Sequence, residues 1–344
     1  AVGQDDKDDF TVLFHRRLEG YSAFRIPAIV QTPSGRIIVF AEARMQPSDT
    51  GDINLVMKYS DDLGITWSET RMVWDQQGNT CGNPAPVVDR RTGRIILLST
   101  WNRGEDKENE IKDRTGLDNR RPHMMCSDDY GLTWSEPVEL AGVQHDDWTW
   151  YATGPCHAIQ LRSKKYRGRI VVPCNHVTYP AKEHHSHVIY SDDGGGTWHL
   201  GGIVAQAGGN ESSVVELRNG DLVLNMRNKN RDGHKCRAWA VSKDGGLTWS
   251  EMMYDERLEE PRCQANIINY GAAWGKPGNV LLFSNPADAE SRVNMTIKKS
   301  ADGGRTWHKA VQVFPGHSAY SGYGRTAERR CSHILRARRP FALR

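Results

Sequence analysis

Long apolar runs, paired cysteines and helical periodicity are all missing from this chain of 344 residues. No stretch approaches the roughly 18 apolar residues that a membrane-spanning helix needs, so no membrane span is expected. The seven cysteines stand singly, without a CxxC or other paired spacing. We therefore expect mostly buried free thiols rather than a disulfide framework.

A strong excess of one charge is missing as well. The formal net charge is +3, but residues 322–344 hold seven arginines and one acid, so the rest of the chain contains 38 basic and 41 acidic side chains. The near-equal numbers of basic and acidic side chains in residues 1–321 argue against a nucleic-acid-binding surface. The basic character belongs to the C-terminal segment alone.

One eight-residue pattern, Ser-x-Asp-x-Gly-x-Thr-Trp, occurs five times, at residues 60–67, 127–134, 191–198, 242–249 and 300–307. A period of this length is too long for helical solenoids and is typical of propeller blades. Each copy predicts a tight turn between strands, in which the Asp accepts hydrogen bonds from amides, the Gly permits positive φ and the Trp holds the turn against the blade. The pattern by itself assigns no activity.

Apolar runs and turn residues recur in the same order around each copy. An apolar run follows a polar or Gly/Pro lead-in, a Gly-led turn starts a second β-branched run, and a third strand enters the pattern. With a strand after each Trp, the markers predict a four-stranded antiparallel meander, with strands a to d. A sixth strand a is expected at residues 317–321, and residues 11–15 are free to close the last blade. The predicted fold class is all-β, a six-bladed β-propeller with five of these turns.

Seven polar residues fall at corresponding ends of the predicted strands. In an antiparallel blade the start of a, the end of b and the start of c share one rim, and the c–d turns lie on the other. Three residues open strands a, two end strands b, one opens a strand c and one lies in a b–c loop. In that order they are Arg25, Glu211, Tyr320, Arg44, Arg227, Arg292 and Asp49. We expect them to converge at the mouth of the central channel, where guanidinium groups would bind an anion.

The motifs around these positions resemble those of exo-sialidases (neuraminidases) of glycoside hydrolase family 33, the bacterial and animal type. The matches are Phe24-Arg-Ile-Pro27, Glu42-Ala-Arg44, Gly82-Asn-Pro, Ala152-Thr-Gly-Pro, Asn210-Glu211, Asn225-Met-Arg227, Ser291-Arg292 and Ala319-Tyr-Ser321. They lie within residues 10–321. The repeated turns occur in other propellers, whereas Phe-Arg-Ile-Pro with this spacing of Arg, Glu and Tyr is specific.

The resemblance implies substrate-binding and catalytic roles. Arg25, Arg227 and Arg292 would grip the carboxylate of sialic acid, and Arg44 would support the same pocket. No metal or other cofactor is implied, and the run at residues 183–187, with three histidines, lacks the HExxH spacing of a zinc site.

For catalysis, the resemblance implies Tyr320 as nucleophile, Glu211 as its partner base and Asp49 as acid/base, with Asp52 as the alternative acid. A neutral phenol avoids the repulsion that a carboxylate nucleophile would meet beside the carboxylate of sialic acid. Each residue also has a structural interpretation: Tyr320 as a core aromatic, Glu211 as neutraliser of an arginine, Asp49 as a turn cap.

The C-terminal segment departs from the family pattern. After Ser321 the sequence has no further Gly-led turn into an apolar run, and no acid after Glu328 that could orient Arg25. We therefore divide the chain into a propeller at residues 1–321 and an atypical arginine-rich tail at 322–344, the product of an altered or replaced C-terminus. On this hypothesis the last blade is incomplete and Arg25 lacks a carboxylate partner.

Taken with the resemblance, these observations predict an exo-sialidase that releases terminal sialic acid with retention through a tyrosine-linked intermediate. The alternatives are a catalytically impaired sialoglycan-binding propeller, a sialidase that forms transfer or anhydro products, and a protein-binding propeller. Sialylated glycans, glycoproteins or gangliosides are the expected partners. A chain that begins at Ala1 fits a processed N-terminus, so we expect a secreted or periplasmic protein.

Overall fold

The structure is a computed structural model of the chain, and it describes residues 10–231, 233–270, 278–325, 331–337 and 341–343. This described part contains twenty-four β-strands, one short α-helix, α1 (Glu108–Asp113), and two 3-10 turns, Leu18–Gly20 and Lys164–Tyr166. The all-β class predicted from the sequence is confirmed. No helix within the described ranges is long and apolar enough to cross a membrane.

The first sheet is built from two antiparallel meanders. Its strands are β2 (Ala23–Gln31), β3 (Ile37–Arg44), β4 (Ile53–Ser60), β5 (Arg71–Trp74), β6 (Thr80–Val88), β7 (Ile95–Asn102), β8 (Arg121–Ser127) and β9 (Val138–Glu139). The meanders β2–β5 and β6–β9 are joined by one parallel pair, between Ile53 and Thr80. β1 (Thr11–Phe14) precedes them and belongs to the last sheet.

Two smaller sheets follow, each built around one meander. The second sheet contains β10 (Trp148–Thr153), β11 (Ile159–Gln160), β12 (Ile170–Thr178), β13 (His184–Ser191) and β14 (His199–Ile203). The third contains β15 (Gly209–Glu216), β16 (Leu222–Asn228), β17 (Cys236–Ser242) and β18 (Met253–Glu259). In the second sheet β10 and β11 both pair with β12, so the first strand of that meander is interrupted.

The fourth sheet combines the two ends of the chain. Its strands are β19 (Asn266–Asn269), β20 (Leu281–Pro286), β21 (Val293–Ser300), β22 (His308–Arg325), β23 (Cys331–Ala337), β24 (Phe341–Leu343) and β1, in that order across the sheet. The long strand β22 pairs with β21 through its first half and with β23 through its second. One strand therefore closes one meander and opens the next.

The C-terminal segment differs from the expectation of an incomplete last blade. β22 runs across the proposed division at residue 321, and the segment beyond it supplies β23 and β24. The adjacent apolar residues Ile334 and Leu335 are both buried, so a short apolar stretch suffices to pair there without the usual turn signal. Residues 326–330, including Glu328, lie outside the described residues, as does the acidic stretch within residues 1–9.

The five repeated turns share one set of hydrogen bonds. In the turn at 191–198, Ser191 Oγ donates to Asp193 Oδ1 and accepts from the Gly195 amide, both at 2.8 Å. The amide and the hydroxyl of Thr197 each donate to an Asp193 oxygen at 2.8 Å. These bonds, the one from the Thr197 amide first, lower the pKa of Asp193 to about 2. Corresponding bonds are made by Asp62, Asp129, Asp244 and Asp302.

The same turns also contact the preceding meander. The indole of Trp249 donates to the Gly202 carbonyl at 3.0 Å, and that of Trp198 points at Met124 Sδ at 3.2 Å. A Cβ on Gly131 would lie 2.7 Å from Cδ1 of Ile38, so glycine is needed there for close approach as well as for its φ of 85°. The turns therefore act between meanders as well as within them.

Most hydrophobic clusters lie between consecutive meanders. One joins β2–β5 to β6–β8, the next joins β6–β7 to β10–β13, a third joins β12–β13 to β15–β17, and a fourth joins β15–β18 to β19–β20. A further cluster joins β21 to β22 and β23. The series closes where Phe14 of β1 and Ile334 of β23 pack with Phe24 of β2. Burial of apolar surface between sheets therefore links the last meander to the first.

Candidate active site

Irregularities in the opening strands of five meanders mark one end of the structure. The pairing register shifts within β2, β6, β10, β15 and the second half of β22. Ile26, Asn83, Trp150 and Tyr320 have positive φ, between 46° and 54°, inside four of these bulges. Bulges re-aim side chains and store backbone strain at functional sites. Here they turn the ends of the opening strands toward a common pocket.

That pocket has a volume of about 190 Å³. All seven residues singled out from the sequence line it: Arg25, Arg44, Asp49, Glu211, Arg227, Arg292 and Tyr320. They come from β2, β3, the loop after β3, β15, β16, the residue before β21, and β22. The convergence of residues up to 295 positions apart in the chain is produced by the tertiary structure alone.

A hydrogen-bonded chain runs through the centre of the pocket. The Tyr320 hydroxyl donates to Glu211 Oε1 at 2.5 Å, and Arg227 Nη1 donates to Glu211 Oε2 at 2.8 Å. All three side chains are largely buried, with Tyr320 only 5% exposed. Glu211 is therefore within reach to take the phenolic proton, and Arg227 holds its second oxygen.

The electrostatics of this chain are set by burial and by the charges around it. Burial and then the charge of Glu211 raise the pKa of Tyr320 well above its usual value, whereas Arg227 and Arg25 act in the opposite sense. Burial disfavours the charged form of Arg227, but Glu211 outweighs it and raises the pKa of the guanidinium. Tyr320 is thus a neutral phenol at rest, and its reaction as a nucleophile requires a base.

A second set of charges forms the side of the pocket. Asp49 Oδ1 accepts from Arg25 Nη1 at 2.6 Å and from Arg44 Nη1 at 2.7 Å. Arg44 and Glu42 form a buried ion pair, and the other oxygen of Glu42 accepts from the Asn83 amide at 2.8 Å. The paired and buried Arg44 is therefore a rigid support for Asp49.

The charge on Asp49 depends on those partners. Burial acts to raise the pKa of Asp49, but Arg25 and Arg44 outweigh it and lower the pKa to about 2. The side chain is 54% exposed, so solvent can reach the carboxylate from the open side of the pocket. Asp49 is also the carboxylate partner that Arg25 was expected to lack. Asp52, the alternative acid, lies outside the residues that line the pocket.

Arg292 lies at the rim of the pocket, with its guanidinium over the Tyr320 ring. Its guanidinium carbon lies 6.0 Å from the ring centroid, and Nη2 donates to the Arg262 carbonyl at 2.8 Å. In the same pocket, the buried Nε atoms of Arg25 and Arg227 have no hydrogen-bond partner among the described residues. Unpaired buried donors on guanidinium groups favour an anionic ligand.

Several pocket residues were missed by the sequence analysis. Arg120 is buried and donates to Asn83 Oδ1 at 2.5 Å and to Thr100 Oγ1 at 2.9 Å. Its guanidinium carbon lies 4.4 Å from the Trp150 ring centroid. The rule that found Arg292 applies here too, because Arg120 directly precedes β8, the third strand of its meander. Lys229, just after β16, could have been found in the same way.

The pocket also borders the C-terminal segment. Arg336 of β23 is in register with Ala319 of β22, next to Tyr320. Burial and then the charges of Arg25 and Arg44 lower the pKa of Arg336 to about 10. The resemblance implied an acid that orients Arg25 from this segment, and the structure instead brings another guanidinium there. The excess of positive charge strengthens the preference for an anion.

Two other sequence expectations concern histidine and cysteine. The histidines at 184, 185 and 187 lie in β13, and Nδ1 of His187 lies 3.0 Å from Nδ1 of His176 in β12. The His176 ring also stacks on Trp148. His184 lines the pocket and contacts Asn210. The six cysteines whose side chains the structure describes are all free, and five of them are buried.

Comparisons with known proteins identify the family of the chain. The family model for the BNR repeat-like domain matches residues 35–330. The chain is 32% identical over 319 residues to a sialidase of Micromonospora viridifaciens, which covers 88% of the chain and 48% of that protein. It is 30% identical over 326 residues to a sialidase of Bacteroides fragilis, covering 90% and 58%. The chain thus spans about half the length of these two curated relatives.

A solved structure gives the same result. The Hadza microbial sialidase Hz136 matches 97% of this chain and 68% of its own, with a TM-score of 0.86 and 28% identity. The fold and the pocket thus define an all-β protein of the β-propeller type with the architecture of a sialidase domain. The chain belongs to the BNR repeat-like domain family, and the resemblance to sialidases of the family 33 type is confirmed.

Proposed function

We propose that the protein is an exo-sialidase, a glycoside hydrolase that removes terminal sialic acid from glycans, glycoproteins or gangliosides. The observation that carries the proposal is the hydrogen-bonded chain Tyr320–Glu211–Arg227 inside an arginine-rich pocket. The sialidase relatives support it. We also propose that the six meanders are the six blades of a propeller whose ring is closed by β1, and that the protein is secreted or periplasmic.

In the proposed reaction the substrate carboxylate is bound by Arg25, Arg227 and Arg292. The Tyr320 oxygen attacks the anomeric carbon while Glu211 takes the phenolic proton, and the glycosidic bond breaks as Asp49 protonates the leaving oxygen. The guanidinium groups stabilise the substrate as positive charge develops in the sugar ring.

The second half of the reaction returns the protein to its starting state. A water molecule attacks the tyrosine-linked sugar, Asp49 accepts the proton of that water, and Glu211 returns a proton to Tyr320. Two displacements at one carbon give retention of configuration. If another hydroxyl replaces the water, the same residues produce a transfer or anhydro product, which analysis of the products distinguishes.

The proposal is tested by turnover and binding in the same variants. Replacing Tyr320 with Phe removes the nucleophilic oxygen, so we expect kcat on a fluorogenic sialoside to fall by at least about 100-fold. Binding to an immobilised sialoside should persist, because the arginines remain. Tyr323→Phe is the matched control, since Tyr323 lies on the same strand and lines a different cavity.

Two outcomes would contradict the assignment. Wild-type protein that binds the sialoside without turnover would favour the sialoglycan-binding alternative. Tyr320→Phe with unchanged kcat would remove the tyrosine from the reaction and leave the hydrolase proposal to rest on other residues.

A further inference from the structure

Three potential metal ligands of different chemistry lie together outside the pocket. The ligand atoms of His234, Cys236 and Glu256 all lie within 4.8 Å of one another. His234 Nδ1 and a Glu256 oxygen are 2.6 Å apart. None of the three lines the pocket that holds Tyr320, so this cluster is separate from the candidate active site.

The backbone positions the three groups at the end of the third sheet. Cys236 is the first residue of β17 and pairs with Glu259, while the next residue, Arg237, pairs with Asp255. Residues 256–258 therefore bulge from β18, which brings Glu256 toward the start of β17. The Cys236 side chain is buried, whereas His234 and Glu256 are accessible to solvent.

The histidine ring is already oriented. It stacks on Tyr254 of β18 with centroids 4.0 Å apart and an interplanar angle of 11°. The His234 carbonyl accepts from Asn228 Nδ2 at 3.0 Å, and Asn228 Oδ1 accepts from the Arg231 amide at 2.9 Å. A ring held in this way loses little freedom when it binds a ligand.

We propose that His234 Nδ1, Cys236 Sγ and the Glu256 carboxylate bind a zinc ion. Imidazole, thiolate and carboxylate are the donors that zinc uses in proteins, and three protein ligands leave a fourth position for water. Calcium and magnesium prefer oxygen ligands, so the sulfur and nitrogen atoms argue against them. His234 and Glu256 alone would be an ordinary surface ion pair. The buried Cys236 sulfur next to them distinguishes this cluster from such a pair.

The ion is expected to link two elements of the third sheet. It would tie the loop between β16 and β17 to β18, and that loop starts next to Lys229, which lines the pocket. The family resemblance implied no metal, and the proposed site adds one at a place that the catalytic proposal does not use. Its success or failure is therefore independent of the sialidase assignment.

The experiment is a titration of the full chain, freed of metal with a chelator, with cobalt(II) alone as a spectroscopic probe. We expect one equivalent to bind and to give a near-ultraviolet sulfur-to-cobalt charge-transfer band, which zinc(II) then displaces. Cys236→Ser should abolish the band. His234→Ala and Glu256→Gln should weaken binding at least about tenfold, since even outer-shell groups around a metal are worth that much.

Matched controls separate the site from chance binding. Cys126→Ser removes a partly exposed thiol elsewhere, and Glu251→Gln removes a carboxylate from the turn before β18, so both should titrate like wild type. Absence of a saturable band in wild type overturns the proposal, as does a band that survives in Cys236→Ser. Because His234 is partly exposed, His234→Ala is expected to fold, so a folding failure of the cysteine variant does not prevent the test.

Discussion

Asp49 is the residue whose charge state matters most for the proposed reaction. In the free protein, Arg25 and Arg44 hold its pKa at about 2, so at neutral pH the side chain carries no proton to donate. A substrate carboxylate that binds Arg25 competes with Asp49 for the same guanidinium. Binding would thus remove a cation from Asp49 and, by excluding water, strengthen the desolvation that favours its protonated form.

We therefore expect the pKa of Asp49 to rise by at least about one unit when sialic acid binds, because one neighbouring cation typically accounts for a shift of that size. Carboxyl-carbon NMR titration with and without sialic acid measures the change. Asp52, which lies outside the pocket, is the internal control and should titrate alike in both states. Identical curves for Asp49 in the two states would exclude this mechanism of proton supply.

At the scale of the element, the bulges and the repeated turns lie at opposite ends of the meanders and have different roles. The bulges in β2, β15 and β22 aim Arg25, Glu211 and Tyr320 into one pocket. The repeated turns hold strands together and contact the preceding meander. Positive-φ residues lie in the bulges at the functional end, and in the turns at the other end the aspartate carboxylates each accept several hydrogen bonds.

A turn aspartate should therefore contribute to stability in a pH-dependent way. Asp193→Ala removes three hydrogen bonds to one carboxylate, and we expect a loss of about 1–3 kcal/mol at pH 7. Because folding lowers the pKa of Asp193 to about 2, its stabilisation is present above the unfolded pKa of about 3.9 and is lost as the pH falls toward 2.

Urea denaturation of wild type and Asp193→Ala at pH 7 and at the lowest pH at which wild type remains folded measures this effect. The difference between the two proteins should shrink at the lower pH. Glu136→Gln, an exposed substitution after another of the repeated turns, is the control and should be neutral. A difference that is the same at both pH values would mean that the carboxylate charge is not involved.

At the scale of the whole molecule, closure depends on β1. Phe14 is fully buried and stacks on Phe24 with ring centroids 5.0 Å apart, in the cluster that joins the last meander to the first. Phe14→Ala should cost about 3–5 kcal/mol because it opens a cavity in that interface. Val12→Ala on the same strand should cost little, since Val12 is 47% exposed. Chemical denaturation of both variants checks this, and equal costs would contradict a closing role for β1.

Buried histidines predict how the whole molecule responds to mild acid. Burial lowers the pKa of His157 to about 4 and those of His184 and His187 to about 3, and burial followed by His187 lowers that of His176 further. Below an unfolded pKa of about 6.5, the unfolded chain takes up protons that the native protein cannot. Stability is therefore full above that pH and falls as the pH decreases.

Each fully buried histidine should contribute up to about 1.4 kcal/mol per pH unit to this loss between pH 6.5 and pH 5. The turn carboxylates titrate at lower pH and do not contribute in this range. Urea denaturation across the interval measures the slope, and His187→Gln should give a shallower one. A stability that does not change from pH 6.5 to pH 5 would show that these histidines are protonated without unfolding.

The sequence by itself determined the all-β class, the meander repeat and the seven residues at the pocket, because turn chemistry and β-branched runs are local signals and because strand ends map onto a rim. It also determined that a phenol, a carboxylate and several arginines belong together. Position at the start of the third strand of a meander also applies to Arg120, but no family motif surrounds that residue and the sequence analysis did not predict it.

Features that depend on contacts between residues far apart in the chain were decided only by the tertiary structure. The strand in the C-terminal segment, the partner of Arg25 and the charge of Asp49 follow from which side chains meet across sheets, and no local pattern encodes that. The pairing of β22 with β23 brings Arg336 where an acid was expected. Likewise, the bulge in β18 brings Glu256 to His234 and Cys236, which lie on a different element.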